Sequence, residues 1–226
     1  MNITKMITVA LLCATSLCSA MMPGHPQILT CPYCGQTKEI MSLMSGNTFG
    51  ARIWSDNKRI APMLPEISYV QKCPHCAKYF IRSRQKTVYA KSGYSSDRGS
   101  LSFAEMKEAV AQLSQEKFRN MKEEAGVRMS LHQAYNDYYF RNGERRTVAE
   151  ADQKLFRENA LWLIENFIKD DVMKAEFYRQ AGDLKKAKAL IEKVSVNDDF
   201  LKNIVATIKK KISKGETAVF LIESAH

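Results

Sequence analysis

Two C-x-x-C pairs constrain this chain more than any other feature. They are Cys31-Pro32-Tyr33-Cys34, followed by Gly35, and Cys73-Pro74-His75-Cys76, with 38 residues between them. Two residues between cysteines let both sulfurs reach one ion on a tight turn, and two facing pairs complete the tetrahedral four-thiolate shell that zinc prefers. Proline after the first cysteine fixes φ, and Gly35 permits the left-handed backbone that closes the first knuckle. The spacing therefore assigns Cys31, Cys34, Cys73 and Cys76 as ligands of one structural Zn2+. No fifth ligand accompanies them. His25 and His75 are spare candidates, read as exposed or packing histidines. Four thiolates on a divalent ion carry a net double negative charge, and Lys38, Lys72 and Lys78 lie close enough in sequence to offset it.

Two other chemistries use the same residues. The four thiols can close as disulfides in an oxidising compartment. CPYC is also the dithiol sequence of glutaredoxins, and CPHC that of strongly oxidising periplasmic thiol oxidases. Such enzymes place the pair at a helix N-terminus behind a strand, where the dipole lowers the thiol pKa. Neither pair here opens an amphipathic helix, and no βαβ alternation follows. Structural metal leads, with disulfides second and a thiol–disulfide oxidoreductase third.

The N-terminus reads as an export signal. Lys5 and the free amine make a positive start, residues 6–17 are almost wholly apolar, and Cys18-Ser19-Ala20 ends on small residues suited to cleavage. The alternative is a misassigned start, with translation beginning at Met21 or Met22 and the protein remaining cytoplasmic. Removing residues 1–20 takes Cys13 and Cys18 with them and leaves 206 residues. Every remaining cysteine then belongs to a knuckle.

The rest divides in two. Residues 21–98 read as a β- and turn-rich module: Thr48, Phe49, Ile53 and Trp54 lie between turn signals, and Tyr79-Phe80-Ile81 and Thr87-Val88-Tyr89 read as strands. Such a module is small enough that the ion must supply part of its folding free energy. A linker is expected over residues 91–100. Residues 99–226 turn helical. Ser102 and Glu105 form a capping box, followed by Phe103, Met106, Val110 and Leu113 at helical spacing. Further stripes run through Val127, Leu131, Tyr135 and Tyr138, through Phe156, Ala160, Leu163 and Phe167, and through Leu201, Ile204, Ile208 and Ile212. Helices are also expected at residues 172–181 and 184–194, six in all, stacked as hairpins. The fold class is α+β, a small β-rich zinc-ribbon-like module followed by an all-α helical-hairpin domain.

Charge is uneven. Residues 21–100 hold eleven Lys/Arg against four Asp/Glu, whereas residues 101–226 hold twenty-two against twenty. Lys72, Lys78, Arg82, Arg84, Lys86 and Lys91 fall in an acid-free stretch interleaved with Tyr79, Phe80 and Tyr89. That composition suits single-stranded nucleic acid or another polyanion, and equally a solvated strand face. No catalytic triad, P-loop or dinucleotide fingerprint is present. Glu176 and Asp183 read as ordinary helix-surface and turn residues.

Residues 174–187 place Ala175, Tyr178, Gly182 and Ala187 where a tetratricopeptide repeat puts a small residue, a Tyr, a turn Gly and a later Ala. Lys174 departs from the usual apolar position, and no proline closes the unit. The chain as a whole resembles an uncharacterised bacterial family, a domain of unknown function pairing an N-terminal CPxCG…CPxC zinc-ribbon-like module with a tetratricopeptide-like helical region. The resemblance rests on both knuckles, on Asn47-Thr48-Phe49-Gly50, on Trp54-Ser55-Asp56, on Gln71-Lys72, and on residues 175–187. Ala77 stands where a glycine is expected after the second knuckle. The resemblance implies zinc and protein contacts, and no reaction.

The expectation is an exported, periplasmic or envelope protein without enzymatic activity, binding another protein through its helices. Intact-mass measurement on the native protein should find a mature chain starting near Met21. A full-length cytosolic species would return the protein to the cytoplasm.

Overall fold

The structure, a computed structural model, describes residues 21–142 and 146–222. The expected signal at residues 1–20 lies outside them. Among the described residues there are ten short strands and six α-helices, nine strands preceding the first helix and the tenth following the last. The strands form four small antiparallel sheets rather than one. β2 (Gln27–Thr30) pairs with β3 (Thr37–Ile40) and β9 (Val88–Tyr89), and β7 (Val70–Lys72) pairs with β8 (Tyr79–Ile81). β1 (Met22–Pro23) pairs with β4 (Leu43–Ser45). β5 (Arg52–Trp54) pairs with β6 (Arg59–Ile60) and, from the far end of the chain, with β10 (Leu221–Ile222). Thr48 and Phe49, expected in a strand, instead belong to a turn in which the Asn47 side chain accepts the Phe49 N–H at 2.9 Å. Phe49 is 87% exposed there, so its apolar character alone did not mark a buried strand.

The helices are α1 (Phe103–Glu116), α2 (Met121–Asn136), α3 (Glu150–Asn166), α4 (Asp171–Gln180), α5 (Leu184–Ile191) and α6 (Asp199–Ser213). Each packs on the next, as short connections dictate. The capping box forms in both directions at the start of α1. The α4–α5 hairpin turns at Gly182, whose φ of +80° excludes most other residues, and Ala175 and Ala187 are both fully buried where the helices meet. No described helix is long and apolar enough to cross a membrane.

Residues 91–100 are docked rather than a loose tether. Met41 N–H donates to the Asp97 carbonyl at 2.7 Å, Ser68 N–H to the Arg98 carbonyl at 2.9 Å, and Lys38 pairs with the Asp97 carboxylate at 3.0 Å. The two halves also share a core. Val70, Tyr79 and Ile81 are buried with Phe103, Met106 and Leu113 of α1 and with Leu131 and Tyr135 of α2.

A buried polar network locks the halves together from the other side. Asp56, in the β5–β6 turn, is fully buried and receives both terminal nitrogens of Arg141 at 2.8–2.9 Å, with Asn136 donating to it at 2.9 Å. Arg141 ends the π-helical turn Asp137–Arg141 that extends α2. Gln180 Oε1 accepts from Asn136 and lies 3.0 Å from His132 Nε2. Since that oxygen can only accept, His132 carries its proton on Nε2. Glu176 is also buried: Arg179 binds its carboxylate and reaches the Ala218 carbonyl at 3.0 Å, tying down the C-terminal segment. Glu176 is therefore not an ordinary surface residue, because a guanidinium three residues on desolvates with it. Asp183 does cap α5, accepting the Lys186 N–H at 3.2 Å.

His132 is stacked between Phe156 and Phe177, with ring centroids 4.4 and 4.3 Å away and Nδ1 without a hydrogen-bond partner. Burial holds its pKa down to about 4, the nearby Asp56 charge and the Gln180 contact opposing this only in part. A histidine kept neutral by the fold loses stability as pH falls from the unfolded value of about 6.5 towards the folded one, because only the unfolded chain takes up the proton. We expect roughly 3 kcal/mol to be lost across that window, and His132→Phe to flatten it. Urea denaturation of both proteins from pH 7 to 4 checks this. Comparing the two isolates the histidine from the other groups that titrate in this range.

Candidate metal centre

Cys31 and Cys73 end their strands' hydrogen-bonding and begin matched turns. Cys31 N–H donates to the Gln36 carbonyl at 2.8 Å, and Cys73 N–H to the Lys78 carbonyl at 2.9 Å. Gly35 N–H returns to the Cys31 carbonyl and Ala77 N–H to the Cys73 carbonyl, both at 3.0 Å. Gly35 has φ of +72° and Ala77 +58°, so Ala77 adopts the left-handed backbone in spite of its side chain. The two knuckles are near copies that face each other.

Their four sulfurs all lie within 4.8 Å of one another, with Cys31–Cys76 and Cys34–Cys73 each at 3.6 Å. A tetrahedron with metal–sulfur bonds of about 2.3 Å has edges of about 3.8 Å. A disulfide needs sulfurs about 2.05 Å apart, and all four cysteines are free thiols. The donor set therefore fits a single ion. Leu29, Ile40 and Phe80 are buried around Cys31 and Cys73, while Cys34 is exposed.

Backbone N–H groups prepare the sulfurs for ionisation. Burial would push the Cys73 thiol up, but the Cys76 and His75 N–H groups and the Cys31 and Cys76 thiols together bring it down to about 6. The Gln36 N–H favours the Cys34 thiolate, but burial and the three neighbouring sulfurs outweigh it and push that thiol up to about 12. Cys76 is raised as well: burial and the Cys31 and Cys73 thiols overcome the Lys78 N–H. The metal-free cluster thus favours one thiolate first. A divalent cation would draw off the remaining protons.

The expected lysine counter-charges are largely spoken for. Lys38 pairs with Asp97 and Lys72 with Glu105, each at 3.0 Å, leaving Lys78 exposed and without an ion pair among the described residues. The N–H groups of the knuckles supply the compensation instead.

One polar stripe of α1 holds the centre against the helices. Gln112 grips the Tyr79 backbone from both sides, accepting its N–H at 3.1 Å and donating to its carbonyl at 2.9 Å. Glu108 accepts the Tyr79 hydroxyl at 2.6 Å, and Glu105 adds Lys72 to its capping role. Tyr33, between the first two cysteines, donates to Glu116 at 2.5 Å and accepts from Gln112 at 3.1 Å. Burial and the Glu116 carboxylate push its pKa above the usual tyrosine value. Sequence reasoning missed these contacts. Glu105, Glu108, Gln112 and Glu116 do recur every three or four residues, but a solvated helix face has the same pattern.

The basic stretch is divided. Arg84 makes a two-pronged pair with Glu123, at 2.7 Å for its shortest contact, and Lys72 is paired as described. Arg82 lies within 3.5 Å of Gln27. Lys78, Lys86 and Lys91 are exposed and make no ion pair among the described residues. Of the interleaved aromatics, Tyr79 and Phe80 are buried at 3% and 2% exposure, and only Tyr89 is available to stack on a base.

No protein-family model, no curated protein and no solved structure matches the chain. The resemblance to the uncharacterised bacterial family therefore rests on its own quoted residues. What the structure adds is the four-cysteine cluster and the helical C-terminal region.

The knuckle asymmetry gives a direct test. Ala77→Gly should stabilise the protein by about 0.5–1 kcal/mol by relieving the left-handed strain, and Gly35→Ala should destabilise it by about 1 kcal/mol. No atom outside its immediate chain neighbours lies within 4 Å of a Cβ placed at Gly35, so the second effect isolates backbone strain. Denaturation midpoints in urea provide the measurement.

Proposed function

We propose that the chain is an exported zinc protein without catalytic activity, in which one structural Zn2+ on Cys31, Cys34, Cys73 and Cys76 braces a helical scaffold for another protein. The observation that carries this reading is the closed donor set. Four thiols gathered at tetrahedral spacing fill every position of a zinc ion, leaving none for substrate. The bracing role is supported by the Tyr79–Ile81 strand, which joins the cysteine cluster to the helical core.

The last two helices favour a protein-binding surface. A groove of about 420 Å3 between α5 and α6 is lined by Leu184, Ile191 and Ile212 and by the exposed Lys185, Lys188 and Lys209. Residues 184–214 carry nine lysines against three acids. An apolar floor among lysines suits an acidic amphipathic segment. The α4–α5 hairpin, with Ala175, Tyr178, Gly182 and Ala187, supports a tetratricopeptide-like reading of this region. The alternative, a nucleic-acid- or polyanion-binding role for the basic ribbon, draws on exposed Lys78, Lys86 and Lys91.

Elemental analysis should find one zinc per chain. Because the strand beside Cys73 is shared, Cys73→Ser should remove the zinc and lower the melting temperature of the whole chain in one transition. Absence of metal together with two disulfides by mass would overturn the zinc assignment. Replacing Lys185, Lys188 and Lys209 by Glu should abolish partner capture from the native compartment while leaving zinc content and helicity unchanged. Salt-sensitive binding of single-stranded nucleic acid, lost on replacing Lys78, Lys86 and Lys91, would favour the alternative. Turnover of a peptide dithiol would favour an oxidoreductase over both.

A further inference from the structure

A second cavity lies on the seam between the two halves, away from the cysteines. It measures about 310 Å3, at the lower end of the roughly 300–1,000 Å3 usual for small-molecule sites, which often form where two structural units meet. Residues from the β5–β6 turn through Tyr69 form one wall, residues 98–101 another, and α1 and α2 the rest.

Its lining is mixed in a way that selects a ligand. Ile60, Leu101 and Met106 provide apolar surface, and the Tyr69 ring stands against Gly126 of α2, where an added Cβ would come within 2.6 Å of it. That close approach fixes the ring as a rigid side of the cavity. Five lining residues are charged: Lys58, Arg59 and Arg98 against Glu66 and Asp137. Lys58 and Asp137 neutralise each other in an ion pair, and Asp137 is held further by Arg141 at 2.6 Å. Arg59 and Arg98 are both exposed and make no ion pair among the described residues, and they oppose the single carboxylate of Glu66. The cavity is thus one positive charge in excess.

We propose that this cavity binds a small monocarboxylate with an apolar body, the carboxylate engaging Arg98 and Arg59 and the body lying against Tyr69, Leu101 and Met106. A planar guanidinium donates two parallel hydrogen bonds to a carboxylate. A doubly charged phosphate would overcompensate the single excess charge and would leave the apolar side unused.

Phenylacetate is the probe, titrated calorimetrically into the zinc-loaded full-length chain at low salt. One saturable site is expected, at least tenfold weaker for neutral phenylacetamide and at least tenfold weaker in the Arg59→Ala/Arg98→Ala protein. Both arginines are exposed and make no ion pair among the described residues, so this variant should keep the native circular dichroism spectrum. Nuclear Overhauser contacts from the phenyl protons to the Met106 methyl should place the body. Lack of saturation at millimolar phenylacetate, unchanged affinity in the double variant, or inorganic phosphate binding as tightly as phenylacetate would each overturn the proposal.

Discussion

Three consecutive residues hold this structure together. Tyr79, Phe80 and Ile81 are 3%, 2% and 0% exposed, although they form a strand with only one partner in its sheet. Side chains alternate along a strand, so Tyr79 and Ile81 enter the helical core while Phe80 enters the cluster around Cys31 and Cys73. The open edge of that strand is satisfied by the Gln112 side chain, which supplies the donor and acceptor that a neighbouring strand would have given. Neither core is self-sufficient with such a shared wall. The cysteine side offers little besides Leu29, Ile40 and Phe80 to bury, and modules this small generally need a metal or a partner surface to persist. Here it has the partner surface built in, and the donor set for the metal.

That sharing was not legible in the sequence, although its parts were. The cysteine pairs, the Ser102–Glu105 cap and the apolar stripes through Met106, Leu131 and Leu163 follow local rules of spacing, and all appear where spacing puts them. What failed were inferences about polar residues. Glu176 read as surface, Lys72 and Arg84 as free cations, and residues 91–100 as a tether. Glu176 is paired within its own helix by Arg179, and the other three depend on partners far along the chain: Arg84 on Glu123, Lys72 on Glu105, and the tether on Met41 and Ser68. Periodicity tells which residues prefer to leave water, whereas it is silent on which charges will be taken out of water together.

The Asp56–Arg141 lock shows the same point in its strongest form, joining residues 85 positions apart with side chains 0% and 2% exposed. Removing two charges from water offsets most of their attraction, so such a pair adds little net stability over a well-packed apolar pair. Breaking it by loss of one partner, however, costs about 3–5 kcal/mol. Its effect is to penalise other arrangements. The β5–β6 turn can bury Asp56 only against the end of α2, and Gln180 and Ser55 extend the same requirement to α4 and to Phe220, whose N–H donates to Ser55 at 3.1 Å. The C-terminal segment is thereby required to close on the N-terminal half.

With one shared strand on one side and one polar lock on the other, the seam between the halves is fixed at both ends, and this is what gives the cavity between them a definite shape. Tyr69 adjoins β7, the partner of the shared strand, and its carbonyl accepts the Arg82 N–H at 3.0 Å. Lys58 and Asp137 stand beside the Asp56–Arg141 pair. Each end of the cavity is therefore set by one of the two fastenings. Loosening the cysteine cluster would act on the Tyr69 wall through β7 and β8. Loosening Asp56 would act on the Lys58–Asp137 side instead. The cysteine cluster and the cavity use separate residues, and the strand between Tyr69 and Cys73 is short, so a change at the cluster reaches the cavity wall through the backbone.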